Sequence, residues 1–308
     1  MDGHIVMELP DPHCALSTDR ASDILRFAHD AFMQGRGCAL VTLVEIIGGA
    51  SRALGAHMAV ASDGRYCGYV SGGCVEGVVA REALMALAEG KDRELRLGRG
   101  STYFDVTLPC GGGIVLAIHV IREIEPIKAV LGANKIRKPS GLAYDPQSGR
   151  LMQTECPVKI GWHSGIFTSS YRPDPRILLF GRGVESYMLE KVAASLDIDT
   201  VREPADIITD RDTAIIILYH DLEKELPVLR QALVSEAFYI GCLGSRRTHE
   251  QRCAELARDG FSQEQIDRIS APIGLFGPTR DARSLAVSIL AEIMSRNLPA
   301  QAGQKVSS

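Results

Sequence analysis

Arg176-Ile-Leu-Leu-Phe180-Gly-Arg-Gly183-Val-Glu-Ser186 is the stretch on which the fold of this chain turns. The run Arg176 to Phe180 reads as a short buried strand. Gly181-Arg182-Gly183 reads as a tight turn, and the residues after it as a helix with Leu189, Val192, Ala193 and Leu196 on its buried face. The turn approximates G-x-G-x-x-G with Ser186 in the third position. Between a strand and a helix such a turn suits a phosphate, because its glycines let backbone amides approach an anion at the helix start. Gly183, the second glycine, is expected to be the one that close approach needs. The alternation continues outward. Thr213 to Tyr219 and Phe238 to Leu243 are two more apolar strands, and the helix between them carries Pro227 in its first turn. A helix follows over about 246–258, Ser262 and Gln265 have capping-box spacing, and a last helix puts Leu285, Ile289 and Ile293 on one side before Pro299. Strand–helix alternation implies a parallel, Rossmann-like sheet. Residues 173–299 are therefore expected to form a Rossmann-like domain, with 300–308 as a loose tail.

A dinucleotide site also wants an acidic residue at the end of the second strand, about 20 residues beyond the turn. Residues 197–210 are short, polar and interrupted by Pro204, and neither Asp199 nor Glu203 stands out as a ribose ligand. Tight NAD(P) binding is therefore not expected, and the turn serves equally well as scaffold. Two further strand ends lie on the edge where doubly wound sheets gather ligands. One is Tyr219-His220-Asp221, whose His220 either does acid–base work or caps the next helix. The other is Gly241 to Arg247, where Gly244, Ser245 and Arg246 suit a phosphate or simply form a turn with solvated arginines.

The first half reads as a mixed α/β domain over 1–125. A helix covers about 22–34, and Cys38 to Ile47 (CALVTLVEII) is apolar on both faces, as in a fully buried strand. His57 to Ser62 and Arg65 to Val70 form a hairpin through Asp63-Gly64, a pair that favours a type I′ turn. A helix over 75–89 ends at Gly90, and Ile114 to Ile121 is another strand. Prolines 126, 139, 146, 157 and 173 then break the pattern, so 126–172 reads mainly as a connector, with room for short strands such as Val158 to Trp162.

Two segments of this half suit chemistry. In Ser71-Gly72-Gly73-Cys74-Val75-Glu76-Gly77 a strand gives way to a helix, and the glycines let several amides converge on an anion. Cys74 stands at the helix start, where the dipole favours thiolate. Glu76 reads as a first-turn carboxylate. Cys110-Gly111-Gly112-Gly113 is a second cysteine beside glycines, and Arg52, in the loop after Ile47, has the charge for a phosphate. Taken singly, each is better read as a tight turn, a buried thiol or a surface arginine; it is two Cys-Gly sites within one domain that point to a shared site.

Composition narrows the classes. The 308 residues are 45% hydrophobic and 23% charged, with a net charge of -4, the balance of a folded globular protein. No basic stripe marks a nucleic-acid surface. No apolar run approaches the ~20 residues of a membrane span, and the acidic start does not read as a signal peptide. A cytoplasmic location is expected. The eight cysteines contain no CxxC pair, and no HExxH motif is present, which argues against structural or hydrolytic zinc.

Together, Gly48 to Met58 (GGASRALGAHM), Tyr69 to Glu76 (YVSGGCVE), Cys110-Gly111-Gly112, Leu178 to Gly183 (LLFGRG), Tyr219-His220-Asp221, Tyr239 to Arg247 (YIGCLGSRR) and Ala271 to Leu275 (APIGL) resemble the XdhC/CoxI family of xanthine dehydrogenase accessory factors. The likeness runs along nearly the whole chain, in family order. It implies a family-specific N-terminal domain and a C-terminal Rossmann domain. It further implies binding of the molybdenum cofactor (molybdopterin), support of its sulfuration, and delivery to a xanthine-dehydrogenase-type client. A cysteine desulfurase is the second implied partner, and a homo-oligomer is expected. By the same analogy Cys74, and after it Cys110, face the cofactor, with Cys74 a possible molybdenum ligand and the Gly-rich loops holding the phosphate. Two departures stand out: Ala50-Ser51-Arg52 lacks a proline, and the Rossmann half is abbreviated before Thr213. The alternative from another class is an NAD(P)-dependent oxidoreductase built on GRGVES and His220-Asp221.

Overall fold

The computed structural model describes residues 9–99, 111–155 and 159–297, so Cys110 and the tail lie outside the described residues. The chain divides into two compact units, 1–173 and 174–308.

The first unit contains β1 (His13–Leu16), α1 (Ala21–Met33), β2 (Cys38–Ile47), β3 (His57–Ala61), β4 (Arg65–Gly68), α2 (Glu76–Glu89), β5 (Arg93–Gly98), β6 (Gly113–Val120) and α3 (Glu125–Lys135). Its six-stranded sheet runs β1-β4-β3-β2-β6-β5. All pairs are antiparallel except β1 with β4. The two-faced apolar character of β2 is explained by what covers it. Cys38, Leu40 and Val44 pack with Ile24, Leu25 and Ala28 of α1, while Ala39, Val41 and Leu43 pack with Val79, Ala83 and Leu84 of α2. Period-2 alternation thus feeds two cores at once.

The reading of 126–172 as a connector is corrected. After α3 come β7 (Ser140–Asp145), β8 (Arg150–Glu155), β9 (Gly161–His163) and β10 (Ile166–Tyr171), an antiparallel sheet in the order β8-β7-β10-β9. Its Leu142, Tyr144, Leu151 and Phe167 join the core beneath α1. The prolines punctuate these elements instead of breaking them. Pro126 opens α3, Pro139 precedes β7, and Pro146 sits in the β7–β8 turn. The β3–β4 link is also not a type I′ turn. Only Gly64 takes a positive φ (90°); its amide returns to Ala61 O (3.0 Å), and Asp63 Oδ1 accepts from Arg65 N (3.2 Å). That is the form of a three-residue loop.

The second unit contains β11 (Arg176–Phe180), α4 (Val184–Ser195), β12 (Asp199–Arg202), β13 (Thr213–Ile217), α5 (Leu222–Leu233), β14 (Tyr239–Cys242), α6 (Arg246–Arg258), α7 (Gln263–Ile266), β15 (Ile269–Ser270) and α8 (Ala282–Asn297). The expected parallel, Rossmann-like sheet is present, in the order β12-β11-β13-β14-β15. Residues of α4 and α8 cover one face, and those of α5, α6 and α7 the other. The abbreviation is visible: no helix separates β12 from β13, and the strand order reverses between β11 and β13. Two local expectations change. Leu196 is the C-cap of α4 and 54% exposed. Pro227 lies inside α5, because Asp221 caps that helix early and starts it at Leu222.

Candidate functional site

Three loops of the first unit converge at one end of its six-stranded sheet, after β2, after β4 and before β6. A Cβ on Gly112 would lie 2.2 Å from Gly49 O, and one on Gly72 would lie 3.5 Å from Ser51 Oγ. Gly112 therefore serves backbone-to-backbone approach, while Gly111 borders open space. The Gly72–Cys74 loop owes its shape to Glu76. This carboxylate is only 2% exposed and lies at the start of α2. Its Oε1 accepts from Ser71 N (2.8 Å) and Ser71 Oγ (2.9 Å), and Oε2 from Val75 N (3.2 Å). Ser71 and Glu76 thus face each other in the interior. The anion at this helix N-terminus is the protein's own side chain. Gly72, Gly73 and Cys74 stay exposed, and no hydrogen bond to another described residue occupies their amides. Arg52 secures the loop from outside. Its Nε donates to Ser71 O (3.3 Å), its guanidinium lies 5.7 Å from the Tyr69 ring centroid, and NH1 pairs with Asp19 at 2.6 Å. What the corner presents outward is the Cys74 thiol beside three amides.

Cys67, on β4, differs. It is fully buried, and burial pushes its thiol up to about 12, so it is a small apolar filler at neutral pH.

In the second unit the carboxyl edge of the sheet carries the remaining candidates. The acidic residue that the sequence pattern obscured is Glu203, directly after β12. Its Oε1 accepts from Gly181 N (2.9 Å), its Oε2 from the Tyr219 hydroxyl (2.6 Å), and Arg182 Nε lies 3.9 Å away. Burial raises the Glu203 carboxyl, but the Tyr219 hydroxyl, the Gly181 amide and Arg182 outweigh it and hold the group below its ordinary range. Tyr219, by burial and then by Glu203, is pushed up to about 12 and keeps its proton. Glu203 therefore closes the glycine turn onto β13. The signal for it was its spacing, about 20 residues beyond Gly183, hidden by the brevity of β12.

Gly181, not Gly183, is the glycine the fold requires. Its φ is 143°, and a Cβ there would meet Ser186 Oγ at 2.7 Å and Leu218 Cβ at 3.0 Å. Gly183 has an ordinary φ of -79°, and an added Cβ would meet only the mobile end of Glu185. Gly181→Ala is expected to cost roughly 2–4 kcal/mol and Gly183→Ala under about 0.5 kcal/mol, read as shifts in urea unfolding midpoints. Equal losses at the two positions would refute this assignment.

His220 is exposed, and its neighbour Asp221 is the N-cap of α5, accepting from Glu223 N at 3.0 Å. Ser245 caps α6 by accepting from Thr248 N; Gly244 precedes it at φ 128°, and Arg246 is exposed. His220, Gly244 and Arg246 are brought together as lining of a cavity of about 590 Å³, whose other side is the 272–279 loop and Leu285. Sequence reasoning missed what holds this cavity open. Glu292, on α8, accepts from Tyr239 OH (2.6 Å), Gly274 N (2.7 Å) and Ser270 Oγ. Ser288 Oγ accepts from Phe276 N (2.9 Å) and donates to Phe276 O (2.6 Å). These residues lie on the buried side of a helix, so only the packed structure reveals them.

Comparison with known proteins follows the same division. Residues 31–98 match the family model described as the XdhC and CoxI family, and residues 177–293 that of the XdhC Rossmann domain. The molybdenum cofactor insertion chaperone PaoD of Escherichia coli K12 is 47% identical over 292 residues, 93% of this chain and 92% of that protein. The uncharacterised protein YqeB of the same organism is 26% identical over 272 residues, 87% of this chain and 45% of YqeB. Among solved structures, a xanthine dehydrogenase from Bacillus halodurans superposes with a TM-score of 0.68 at 19% identity, covering 92% of this chain and 97% of that one. That likeness is one of fold.

Proposed function

This chain belongs to the XdhC and CoxI family, and from that premise we propose that it binds the molybdenum cofactor, supports its sulfuration and delivers it to a xanthine-dehydrogenase-type molybdenum hydroxylase. The relative named a molybdenum cofactor insertion chaperone, nearly half identical over more than nine-tenths of each chain, supports the cofactor-handling part. A cysteine desulfurase and the client enzyme are the proposed partners. The observation that carries the reading is the exposed Cys74 in a loop held from within by Glu76.

The residues fit such a ligand by their chemistry. A thiol is a soft donor suited to molybdenum, and the amides of Gly72 to Cys74 are donors for an anionic group. Among the described residues no cluster of three His, Cys, Asp or Glu gathers. The cofactor, when bound, supplies the molybdenum centre that the client uses. This chain's part is to place Cys74 and the free amides on one exposed corner, with Glu76 and Arg52 fixing the loop from its two sides.

Cys74→Ser tests the reading. Serine keeps the size but is a far weaker ligand and forms no anion at neutral pH. The variant is expected to fold normally and to lose at least about tenfold in molybdenum and pterin retained per protomer, and equally in client activation. Cys67→Ser, altering a buried filler, is the comparison and is expected to retain both once folded. Parent-like retention and activation by Cys74→Ser would remove the thiol from the site.

A further inference from the structure

The cavity at the carboxyl ends of β13, β14 and β15 has a lining of uneven chemistry. Leu243, Ile273, Phe276 and Leu285 make an apolar side, Arg246 with the imidazole of His220 near it a polar one whose charge is the guanidinium's, and no carboxylate lines it. Arg246 has no ion-pair or hydrogen-bond partner among the described residues. The walls are built rigidly. Buried Glu292 and Ser288 pin the loop from Ser270 to Phe276. Arg252, with no exposure, donates to Leu243 O at 2.8 Å on the opposite wall. Despite that anchoring the Phe276 side remains open, with the residue 50% exposed.

We propose that this cavity binds a nucleoside monophosphate, with the base on the side of Phe276 and Leu285 and the phosphate on the side of Arg246 and His220. A lining that joins an apolar wall to an unpaired cation, with no acid, selects an anion carrying a flat apolar body. A cation would meet only repulsion there, and a neutral sugar would leave Arg246 unused. An inorganic anion would leave the apolar wall in water. Arg246 also begins the 13-residue α6, whose dipole adds to the attraction for phosphate. The volume lies within the range of small-molecule sites, and the place, outside the carboxyl ends of parallel strands, is where such sheets take ligands. The proposal goes beyond the molybdenum reading and does not depend on it, since its residues all belong to the second unit and its ligand needs no metal.

Calorimetry on the full chain with CMP, AMP and GMP, and with inorganic phosphate as the comparison, tests it. At least one nucleotide is expected to bind below about 1 mM, and inorganic phosphate at least about tenfold more weakly. Arg246→Ala is expected to weaken the nucleotide about tenfold or more and to flatten its salt dependence. Phe276→Ala is expected to weaken it similarly with the salt dependence intact, because it removes apolar contact only. Both positions are exposed, so both variants should fold. Arg258→Ala, at the far end of α6, is expected to bind as the parent does. The proposal is overturned if no nucleotide binds, if phosphate alone binds as well, or if either Arg246→Ala or Phe276→Ala matches the parent. Loss of molybdenum retention in Cys74→Ser with nucleotide binding preserved would establish the two sites as separate.

Discussion

Replacing Arg252 with methionine is expected to destabilise the 174–308 unit by roughly 3–5 kcal/mol, the usual effect of removing one partner from a buried ion pair. Arg252 has no solvent exposure and Glu225 has 1%. The guanidinium spans both carboxylate oxygens, with NH2 at 2.9 Å from each and Nε at 3.1 Å from Oε2. Burial pushes the Glu225 carboxyl up, and Arg252 draws it only part of the way back. Without the arginine, Glu225 must either stay charged in an apolar interior or take up a proton, and Leu243 O loses its donor. Methionine keeps much of the volume, so the loss reports on charge and hydrogen bonding more than on a cavity. Replacing Glu225 with leucine in the same chain should restore much of the stability, since the pair as a whole contributes less than its halves separately cost. The readout is the urea midpoint of the second unit for the two single variants and the double. An Arg252→Met loss below about 1 kcal/mol would mean that the pair behaves like an exposed one. The cavity should loosen with it, because this arginine anchors the turn that ends β14.

The parallel sheet was legible because its strands are short apolar runs alternating with helices, and propensity, pattern and tertiary packing agree there. Arg176 to Phe180 and the helix from Arg246 to Arg258 appear with the bounds read from sequence. Of the antiparallel β7–β10 sheet only a short strand overlapping β9 was legible. Its strands are only three to six residues long, and exposed Met152 and Trp162 blur the alternation. Prolines at element boundaries then look like breaks. The packing of Leu142 and Phe167 under α1 is a tertiary fact without a local signature.

At the candidate site, glycines and cysteines were conspicuous in the sequence, whereas the residues that shape the loops were not. The Ser71–Glu76 bonds add to the reading of Glu76 as a first-turn carboxylate the role of an internal clasp. Glu203 was considered for its acidity and spacing, but its bonds to Gly181 and Tyr219 require β12 and β13 to flank β11. His220 and Asp221, adjacent in sequence, separate into a cavity residue and a helix cap. Neighbours along a chain need not share a task.

Acid is expected to weaken the 1–173 unit before its carboxylates titrate, through His57. This imidazole, 4% exposed, joins the two sheets of the unit: Nδ1 lies 3.0 Å from Thr42 Oγ1, and Nε2 lies 2.7 Å from the Tyr171 hydroxyl, whose ring stacks on it at 5.7 Å. Burial pushes His57 down from 6.5 to about 4, opposed only in part by a backbone bond to Val41. The native state therefore keeps the ring neutral at pH values where the unfolded chain already binds a proton. The unfolded state is stabilised as pH falls through 6.5, and the loss of folding stability continues until the native ring also protonates near 4. The stabilisation is complete above 6.5, and its loss across the window amounts to roughly 3 kcal/mol. Asp92 does not confuse the measurement. Burial raises its carboxyl, but His119, Arg122 and the Val120 amide outweigh that and hold it at about 2, so its contribution disappears only in stronger acid. Urea unfolding of the first unit at pH 7, 5.5 and 4.5 should show the decline. His57→Gln, which cannot titrate, should be less stable at pH 7 yet lose distinctly less between pH 7 and 4.5. Parallel pH profiles for parent and variant would mean that His57 accepts a proton in the folded protein as readily as in the unfolded chain. The Thr42–His57–Tyr171 bridge would then be open to water.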